Sequence, residues 1–328
     1  MSQWRLDWSG AWGMPLGEAV IRHCPEDFEV EELLGWTPDG FGEHLCLYLE
    51  KRGDNTEYLA GELARLAGCR RMDVSFCGLK DRNAVTRQWF SLYRPRGEDG
   101  PLLEAIAGRW KLLDYCRHSR KLRRGDHSAN RFRLRLRQCS ADPAAFQARW
   151  QQLVTRGCPN YFGPQRFGHG GGNLDRAAAL KPRQLRGRAG FQAGLYLSAA
   201  RSWCFNQWLA ERVAQGDWQQ PLPGDPGPGA TGPLAGDDST LAGPPLEARE
   251  LAFLEQWPVF TALFRQTRMK PARRALVLRP EQAVLEWQGD DPLLQMTLPA
   301  GSFATAVLQE LVTIRDASQQ GASPGEAK

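Results

Sequence analysis

The sequence contains little that would hold it in a membrane. Among its 328 residues, no stretch approaches the 18 consecutive apolar residues that suggest a membrane-spanning helix. The first residues, Met1 to Gly13, mix tryptophan, arginine and aspartate and have no apolar centre, so they do not resemble a secretory signal. We therefore expect a cytoplasmic protein that makes no membrane contact.

Common metal and phosphate motifs are absent from the sequence. The five histidines are scattered, and the eight cysteines form no CxxC pair and no metal-ligand spacing with a histidine. The glycine-rich segment that begins at His169 lacks the GxxxxGK[ST] pattern, and neither GxSxG nor HExxH occurs. We predict reduced thiols, no metal site and no small-molecule cofactor.

Positive charge is concentrated in one block. The chain has 42 Lys and Arg against 37 Asp and Glu, a net charge of +5. Residues 109–137 contain eleven Lys and Arg and only two acids, which makes this block +9 and the remaining chain −4. Such an asymmetric distribution favours contact with a polyanion on one face.

The block ends in a strictly alternating segment, Arg131 to Arg137. A period of two predicts a strand with Phe132, Leu134 and Leu136 on one face and four arginines on the other. A solvated, charged sheet face is one interpretation of this pattern. The basic residues just upstream favour the other, contact with nucleic acid, because arginine binds phosphates and stacks on bases.

The remaining pattern predicts an α+β protein with a mixed sheet, because helices and strands alternate irregularly and neighbouring strands look hairpin-connected. The segment 216–245, rich in glycine and proline, predicts an irregular loop. Asp54 and Ser302 are the predicted caps of the first and last helices. The predicted strands are 25–31, 72–76, 85–93, 131–137, 275–279, 283–287 and 293–298, and the predicted helices are 56–67, the segment from Pro143, 198–215, 246–256 and 303–315.

Asp81 is the most notable carboxylate on physical grounds. It lies in the predicted turn after the strand that Gly78 ends, next to Lys80. A carboxylate at a rigid strand end can serve as a nucleophile or a base, and neighbouring cations keep it ionised. A turn aspartate that only stabilises its own backbone is the alternative, which these residues alone leave open.

Six ordered segments resemble the motifs of the TruD family of tRNA pseudouridine synthases, which modify uridine 13. Their order and spacing agree from about residue 20 to residue 315, which makes the match specific. The segments are PEDF at 25–28, GLKDRNAVTRQ at 78–88, HSRKL with NRF at 118–122 and 130–132, NYFGPQRFG at 160–168, LSAARS at 197–202, and LPAGSFAT at 298–305.

The resemblance implies a pseudouridine synthase fold with a mixed, largely antiparallel sheet, plus an inserted α/β TRUD domain. The catalytic domain would combine residues 1–157 with the returning segment 283–316. The TRUD domain would occupy 158–282, and 317–328 would form a disordered tail.

The resemblance also implies a reaction that needs no cofactor. Uridine becomes pseudouridine when the N1–C1′ bond breaks, the uracil rotates and C5 joins C1′. Asp81 would be the catalytic residue, acting on a flipped-out nucleotide of tRNA. Lys80 would keep Asp81 ionised, Asn130 would bond the uracil edge or brace Asp81, and Phe132 and Phe303 would stack on the base. The full implied set is Arg22, Phe28, Lys80, Asn130, Phe132 and Phe303 for the substrate, and Arg120, Lys121, Arg123, Arg124 and Arg166 for RNA.

Two features depart from the family pattern. Arg22 stands where the family usually has lysine, so we carry over a charge role only. The segment 221–233 is shorter than in typical members.

Two other functions remain as alternatives: a non-catalytic RNA-binding module, and a hydrolase that releases the base. The intact motif around Asp81 argues against the non-catalytic RNA-binding module. We also expect the protein to act as a monomer.

Overall fold

The computed structural model describes residues 4–181 and 187–319, and the chain forms two compact units. The sheet unit comprises the described parts of Leu16–Trp150, Pro280–Gly301 and Val312–Lys328. The helical unit comprises the described parts of Met1–Pro15, Gln151–Arg279 and Ser302–Leu311.

The secondary structure mixes strands and helices throughout, as the sequence predicts. The strands are β1 Glu18–Ile21, β2 Phe28–Leu33, β3 His44–Arg52, β4 Val74–Phe76, β5 Val85–Tyr93, β6 Lys111–His118, β7 Ala129–Arg135, β8 Cys158–Pro159, β9 Thr231–Leu234, β10 Ala272–Ala275, β11 Val277–Leu278, β12 Glu281–Gln288, β13 Asp291–Pro299 and β14 Thr313–Asp316. The helices are α1 Thr56–Ala67, α2 Gly100–Ala107, α3 Pro143–Arg156, α4 Gly172–Ala178, α5 Gly187–Gln215, α6 Pro244–Leu254, α7 Pro258–Gln266 and α8 Ala304–Leu308.

The sheet unit is built on one large sheet with the order β12-β13-β7-β2-β5-β3-β6, and β4 pairs with β5. All neighbours in this sheet are antiparallel except β2 and β5, which are parallel. This confirms the predicted mixed, largely antiparallel sheet. Strands β1 and β14 form a separate parallel pair.

Helix α1 has the predicted bounds because its apolar stripe and end signals are local. Leu59 and Leu63 are fully buried against the sheet, and Gly68 ends the helix in the left-handed conformation at φ +62°. The prediction that Asp54 caps this helix is wrong, because the N-cap residue is Asn55. The Oδ1 atom of Asn55 accepts the bond from the Tyr58 amide at 2.6 Å.

Strand β7 confirms the predicted alternation. Phe132 and Leu134 are buried, and so is Leu136, which directly follows the strand. The arginines of this segment point away from that apolar face and meet carboxylates of neighbouring strands or of the turn before β2.

The predicted final helix at 303–315 is wrong. Only Ala304–Leu308 is helical, with Phe303 rather than Ser302 at the N-cap position. The chain then forms β14, which pairs in parallel with β1 from Glu18↔Thr313 to Ile21↔Asp316. The partner strand lies nearly 300 residues away, and its backbone hydrogen bonds outweigh the local helical pattern.

The helical unit has an aromatic core built around α5, which begins at Gly187 rather than at 198. Helix α7 was not predicted, and strand β9 lies inside the segment predicted as irregular. The N-terminal segment joins this core through Trp4, Trp8 and Trp12.

The compact units differ from the predicted domain bounds at both chain ends. Residues 4–15 and Ser302–Leu311 pack in the helical unit, where the buried Glu310 accepts hydrogen bonds from the amides of Ala11 and Trp12. Ala317–Gln319, at the start of the predicted tail, form a single 3-10 turn. The rest of that tail, 320–328, lies outside the described residues. The functional division into a catalytic and a TRUD domain stays a prediction.

Candidate active site

The turn between β4 and β5 presents Asp81. The side chains of Thr56 and Gln88 fix the backbone of this turn. The Thr56 Oγ1 accepts a bond from the Lys80 amide at 3.0 Å and donates to Gln88 Oε1 at 2.9 Å. The side-chain nitrogen Nε2 of Gln88 in turn donates to the Gly78 carbonyl at 3.2 Å. The turn is therefore anchored to α1 and β5 before any ligand is present.

Arg22 binds the Asp81 carboxylate directly. Its Nη2 lies 2.6 Å from Asp81 Oδ2, its Nη1 lies 2.8 Å from Asp316 Oδ2, and its guanidinium carbon is 3.9 Å from the centre of the Phe28 ring. The arginine side chain is 6% exposed, whereas that of Asp81 is 42% exposed. The cation is thus buried behind a carboxylate that solvent, and a substrate, can reach.

The predicted charge role of Arg22 acquires a specific geometry. A guanidinium presents several donors in a fixed fork, so it holds two carboxylates at once, which the single ammonium of a lysine would do in a different geometry. The residue adopts a left-handed backbone conformation at φ +54° directly after β1. For a non-glycine residue this conformation is strained by about 1 kcal/mol or more.

Lys80 does not contact the Asp81 carboxylate, in contrast to our expectation. Its Nζ lies 2.7 Å from Glu32 Oε2, with both side chains almost fully buried. The other oxygen of Glu32 accepts the Trp89 amide at 3.1 Å. A buried pair of this kind contributes little net stability, but removing one partner costs about 3–5 kcal/mol. Lys80 therefore holds the turn in place, and Arg22 is the cation beside Asp81.

Asn130 lies beside His127, which the sequence did not single out. Its Nδ2 is 3.4 Å from His127 Nε2, and both residues are more than nine-tenths buried. Within residues 4–181 and 187–319, Asn130 Oδ1 and His127 Nδ1 have no hydrogen-bond partner. Burial lowers the pKa of His127, so its ring is neutral near pH 7.

Phe28 and Phe132 form one edge-to-face pair, with ring centres 6.3 Å apart and planes at 82°. They are only 3% and 7% exposed, so they lie in the sheet unit beneath its surface. The remaining predicted substrate residue, Phe303, belongs to the helical unit, where it packs on Phe162 at 5.9 Å between ring centres.

Arg166 also belongs to the helical unit. It donates to Ser198 Oγ and, at 3.4 Å, to Ser202 Oγ, both on α5. Burial lowers the pKa of this guanidinium from its ordinary value.

The predicted RNA-binding cations of the sheet unit lie in one exposed loop between β6 and β7, which we call the basic loop, Arg120–Arg124. Arg120 lies 5.7 Å from the Trp36 ring centre, and Lys121 donates to the Met72 carbonyl at 2.6 Å. Arg124 lies 3.9 Å over the Phe76 ring and donates to Glu57 at 3.0 Å.

The other cations of the +9 block are paired with acids. We call the alternating arginines of and just beyond β7 the arginine face. Each lies within 3.0 Å of a carboxylate from β2, β13 or the turn before β2. The pairs are Arg131 with Glu31, Arg133 with Glu29, Arg135 with Asp291 and Arg137 with Asp27. Upstream cations of the block are also paired with acids, at distances up to 3.5 Å: Arg109 with Glu62, Lys111 with Glu50 and Arg117 with Asp99.

Sequence reasoning missed several partners of the predicted site. Glu32 and Asp316 carry no local signal, because each meets its partner from a distant part of the chain. His127 lies only three residues before Asn130, but no pattern in the sequence marked it. Lys51 does carry a local signal, since it continues the apolar face of β3 after Leu45, Leu47 and Leu49. Its ammonium bonds the main-chain carbonyl of Asp81.

Within the part of the chain that the structure describes, no three His, Cys, Asp or Glu side chains are arranged to hold a metal ion. No helix there is long and apolar enough to cross a membrane. The eight cysteines are free thiols.

Comparison with known proteins identifies clear relatives. The family model of tRNA pseudouridine synthase D (TruD) matches residues 12–175. The chain is 50% identical to a tRNA pseudouridine synthase D of Marinobacter nauticus, with 97% of each chain covered. It is 44% identical to one of Cellvibrio japonicus, over 95% of this chain and 94% of the relative. A crystal structure from Methanosarcina mazei carrying the same name shares the fold, with a TM-score of 0.64, 20% identity and 95% of each chain covered.

Proposed function

The chain belongs to the tRNA pseudouridine synthase D family, and on this premise we propose that it isomerises uridine 13 of tRNA to pseudouridine with Asp81 as the catalytic carboxylate. The isomerase activity is the family's. The position in tRNA and the role of Asp81 are our proposals for this chain.

One observation carries the role of Asp81. The carboxylate is 42% exposed at a rigid turn, while the cation that binds it is 6% exposed. Arg22 therefore lies on the protein side of the carboxylate and leaves room for a nucleotide on the other side. This arrangement leaves the outer side of the carboxylate free to act on the ribose or the base.

The reaction balances without an added group. The N1–C1′ bond breaks, C5 bonds to C1′, the C5 proton leaves and N1 gains a proton. Extruding the nucleotide from a folded tRNA costs a few kcal/mol. Contacts of the phosphates with the basic loop contribute binding energy that offsets this cost.

The first prediction concerns Asp81 itself. Purified enzyme is incubated with tRNA that carries tritium at uracil C5, and each converted site releases one tritium. We expect Asp81→Asn to lower the single-turnover rate to below about one-thousandth of wild type, because it removes the acting carboxylate. Binding of tRNA should persist, since Arg22 keeps its bond to Asp316.

Two matched controls complete the experiment. Asp316→Asn loosens Arg22 but retains Asp81, so its rate should fall less than that of Asp81→Asn. A tRNA with cytidine in place of uridine 13 should release no tritium. Normal turnover by Asp81→Asn would refute the role of Asp81. Free uracil in the products would indicate the hydrolase alternative, and binding without any tritium release would indicate a non-catalytic module.

A further inference from the structure

Strand β3 places a lysine where its pattern predicts an apolar residue. Leu45, Leu47 and Leu49 point into the core beneath α1 and are fully buried. Lys51 occupies the next position on the same face and is 1% exposed. Lysine is almost never fully buried without partners, because its charge loses hydration. Such a costly position requires an explanation.

The ammonium of Lys51 joins two turns. Its Nζ donates to the Asp54 carbonyl at 2.7 Å, just before α1, and to the Asp81 carbonyl at 3.1 Å. Both acceptors are main-chain oxygens, so the side-chain carboxylates are not consumed by these bonds. The charged groups that face Lys51 are the carboxylates of Asp81 and Asp54 and the ammonium of Lys80.

We propose that Lys51 is a positioning residue for the isomerisation: it clamps the main chain at Asp81 and keeps a positive charge behind the Asp81 carboxylate. This inference rests on the proposed catalytic role of Asp81. It assigns the carboxylate two cations with separate tasks, since Arg22 contacts the carboxylate itself and Lys51 holds the backbone that carries it.

The protonation of Lys51 makes the proposal testable. Burial lowers the pKa of Lys51 from 10.5 to about 8, against the opposing effect of Asp81 and Asp54. A neutral amine still has two N–H donors, so deprotonation retains both hydrogen bonds and removes only the charge. The rate should therefore decline as the pH rises above about 8.

Unfolding does not explain such a decline. Between about 8 and 10.5 the unfolded chain binds a proton at Lys51 that the folded chain has lost. Stability from this group therefore rises with pH over that interval. Above about pH 8, loss of the Lys51 charge should therefore lower the rate, although the same deprotonation makes the folded state more stable.

The experiment measures single-turnover tritium release from about pH 6.5 to 9.5, for wild type, Lys51→Met and Lys51→Arg. We expect Lys51→Met to be slower by about 10- to 100-fold near pH 7, the size of a small misplacement of a reacting group. Its rate should not decline around pH 8, and its tRNA affinity should stay within a few-fold of wild type. Lys51→Arg retains a charge that does not titrate here, so it should recover part of the rate and also lack the decline.

Arg52→Met is the matched control, because it removes the neighbouring cation of β3, whose side chain is 62% exposed and bound to Glu26. It should keep the wild-type rate and pH profile. A pH 8 decline that persists in the Lys51 variants, or is absent from wild type, would overturn the proposal. If thermal melting shows that Lys51→Met does not fold, the profile of Lys51→Arg decides in the same way. Failure of the proposed function would give a different result, because the Asp81→Asn variant would then release tritium at the normal rate.

Discussion

The basic loop and the arginine face differ in how their charge is balanced, although they belong to the same basic block. Arg120 and Arg123 of the loop are exposed and have no ion pair among the described residues. On the arginine face, by contrast, Arg131 and Arg133 meet Glu31 and Glu29 of β2. A count of charges along the chain adds these regions together, whereas a polyanion responds to the charges that remain unpaired at the surface.

The comparison changes where we expect phosphates to bind. Cross-strand pairs of opposite charge are a normal means of stabilising a sheet, so the arginine face fits the interpretation of a solvated, charged sheet face. Within the basic block, the charges that have no ion-pair partner in the described part of the chain are those of Arg120, Lys121 and Arg123 in the loop. We therefore expect the loop to supply the salt-dependent part of tRNA binding from this block.

The largest expected effect on tRNA binding is that of removing the unpaired loop charges together, in Arg120→Ala/Lys121→Ala/Arg123→Ala. Each phosphate contact contributes about 0.7–0.9 to the slope of log K against log salt, so the slope should become shallower by about 2–3. Affinity near 0.1 M salt should fall on the order of 100-fold. Filter binding at several salt concentrations measures both. An unchanged slope would show that the loop does not contact phosphates.

Arg124 is an intermediate case, because it is exposed but already bonded to Glu57 and stacked on Phe76. We expect Arg124→Met to lower tRNA affinity by only about 3-fold, since an exposed pair of this kind is worth up to about 1 kcal/mol and competes with phosphate. Glu57→Gln is the matched control. It frees Arg124 and should raise affinity at low salt, and a decrease would contradict this account.

The difference between local and distant information also explains what the sequence could predict. Helix α1 and strand β5 have the predicted bounds, because their apolar periods and end signals lie within a few residues. Strand β14 was predicted as helix, because its partner β1 lies at the other end of the chain. Periodicity within a segment gives no information about such a partner.

The candidate site follows the same division. Asp81 and its turn could be predicted from a contiguous motif, and a charge role for Arg22 could be predicted with it. The partner of Lys80 could not, because Glu32 reaches it from a neighbouring part of the sheet. The sequence of β3 shows Lys51 as a break in an apolar face. The residues around Lys51 do not indicate that its ammonium bonds the Asp81 carbonyl.

The smallest expected effect on binding belongs to the arginine face, tested by Arg131→Met/Arg133→Met. Both side chains are nearly half exposed, and their carboxylate partners keep other donors, since Tyr48 bonds Glu31 and Arg87 bonds Glu29. Each lost pair should cost about 0–1 kcal/mol of stability, measured by urea denaturation. Affinity for tRNA should change less than about 2-fold, with an unchanged salt slope, because no unpaired charge is removed.

This double variant is the sharpest test of the comparison, since it removes two positive charges where the triple loop variant removes three. If charge number alone mattered, its slope would become shallower by about 1.4–1.8, two-thirds of the effect of the loop variant. That result would mean that Arg131 and Arg133 exchange Glu31 and Glu29 for phosphates when tRNA binds, and the whole block would then act as one surface. An unchanged slope means that the carboxylates of β2 neutralise Arg131 and Arg133 in the complex as they do in the free protein.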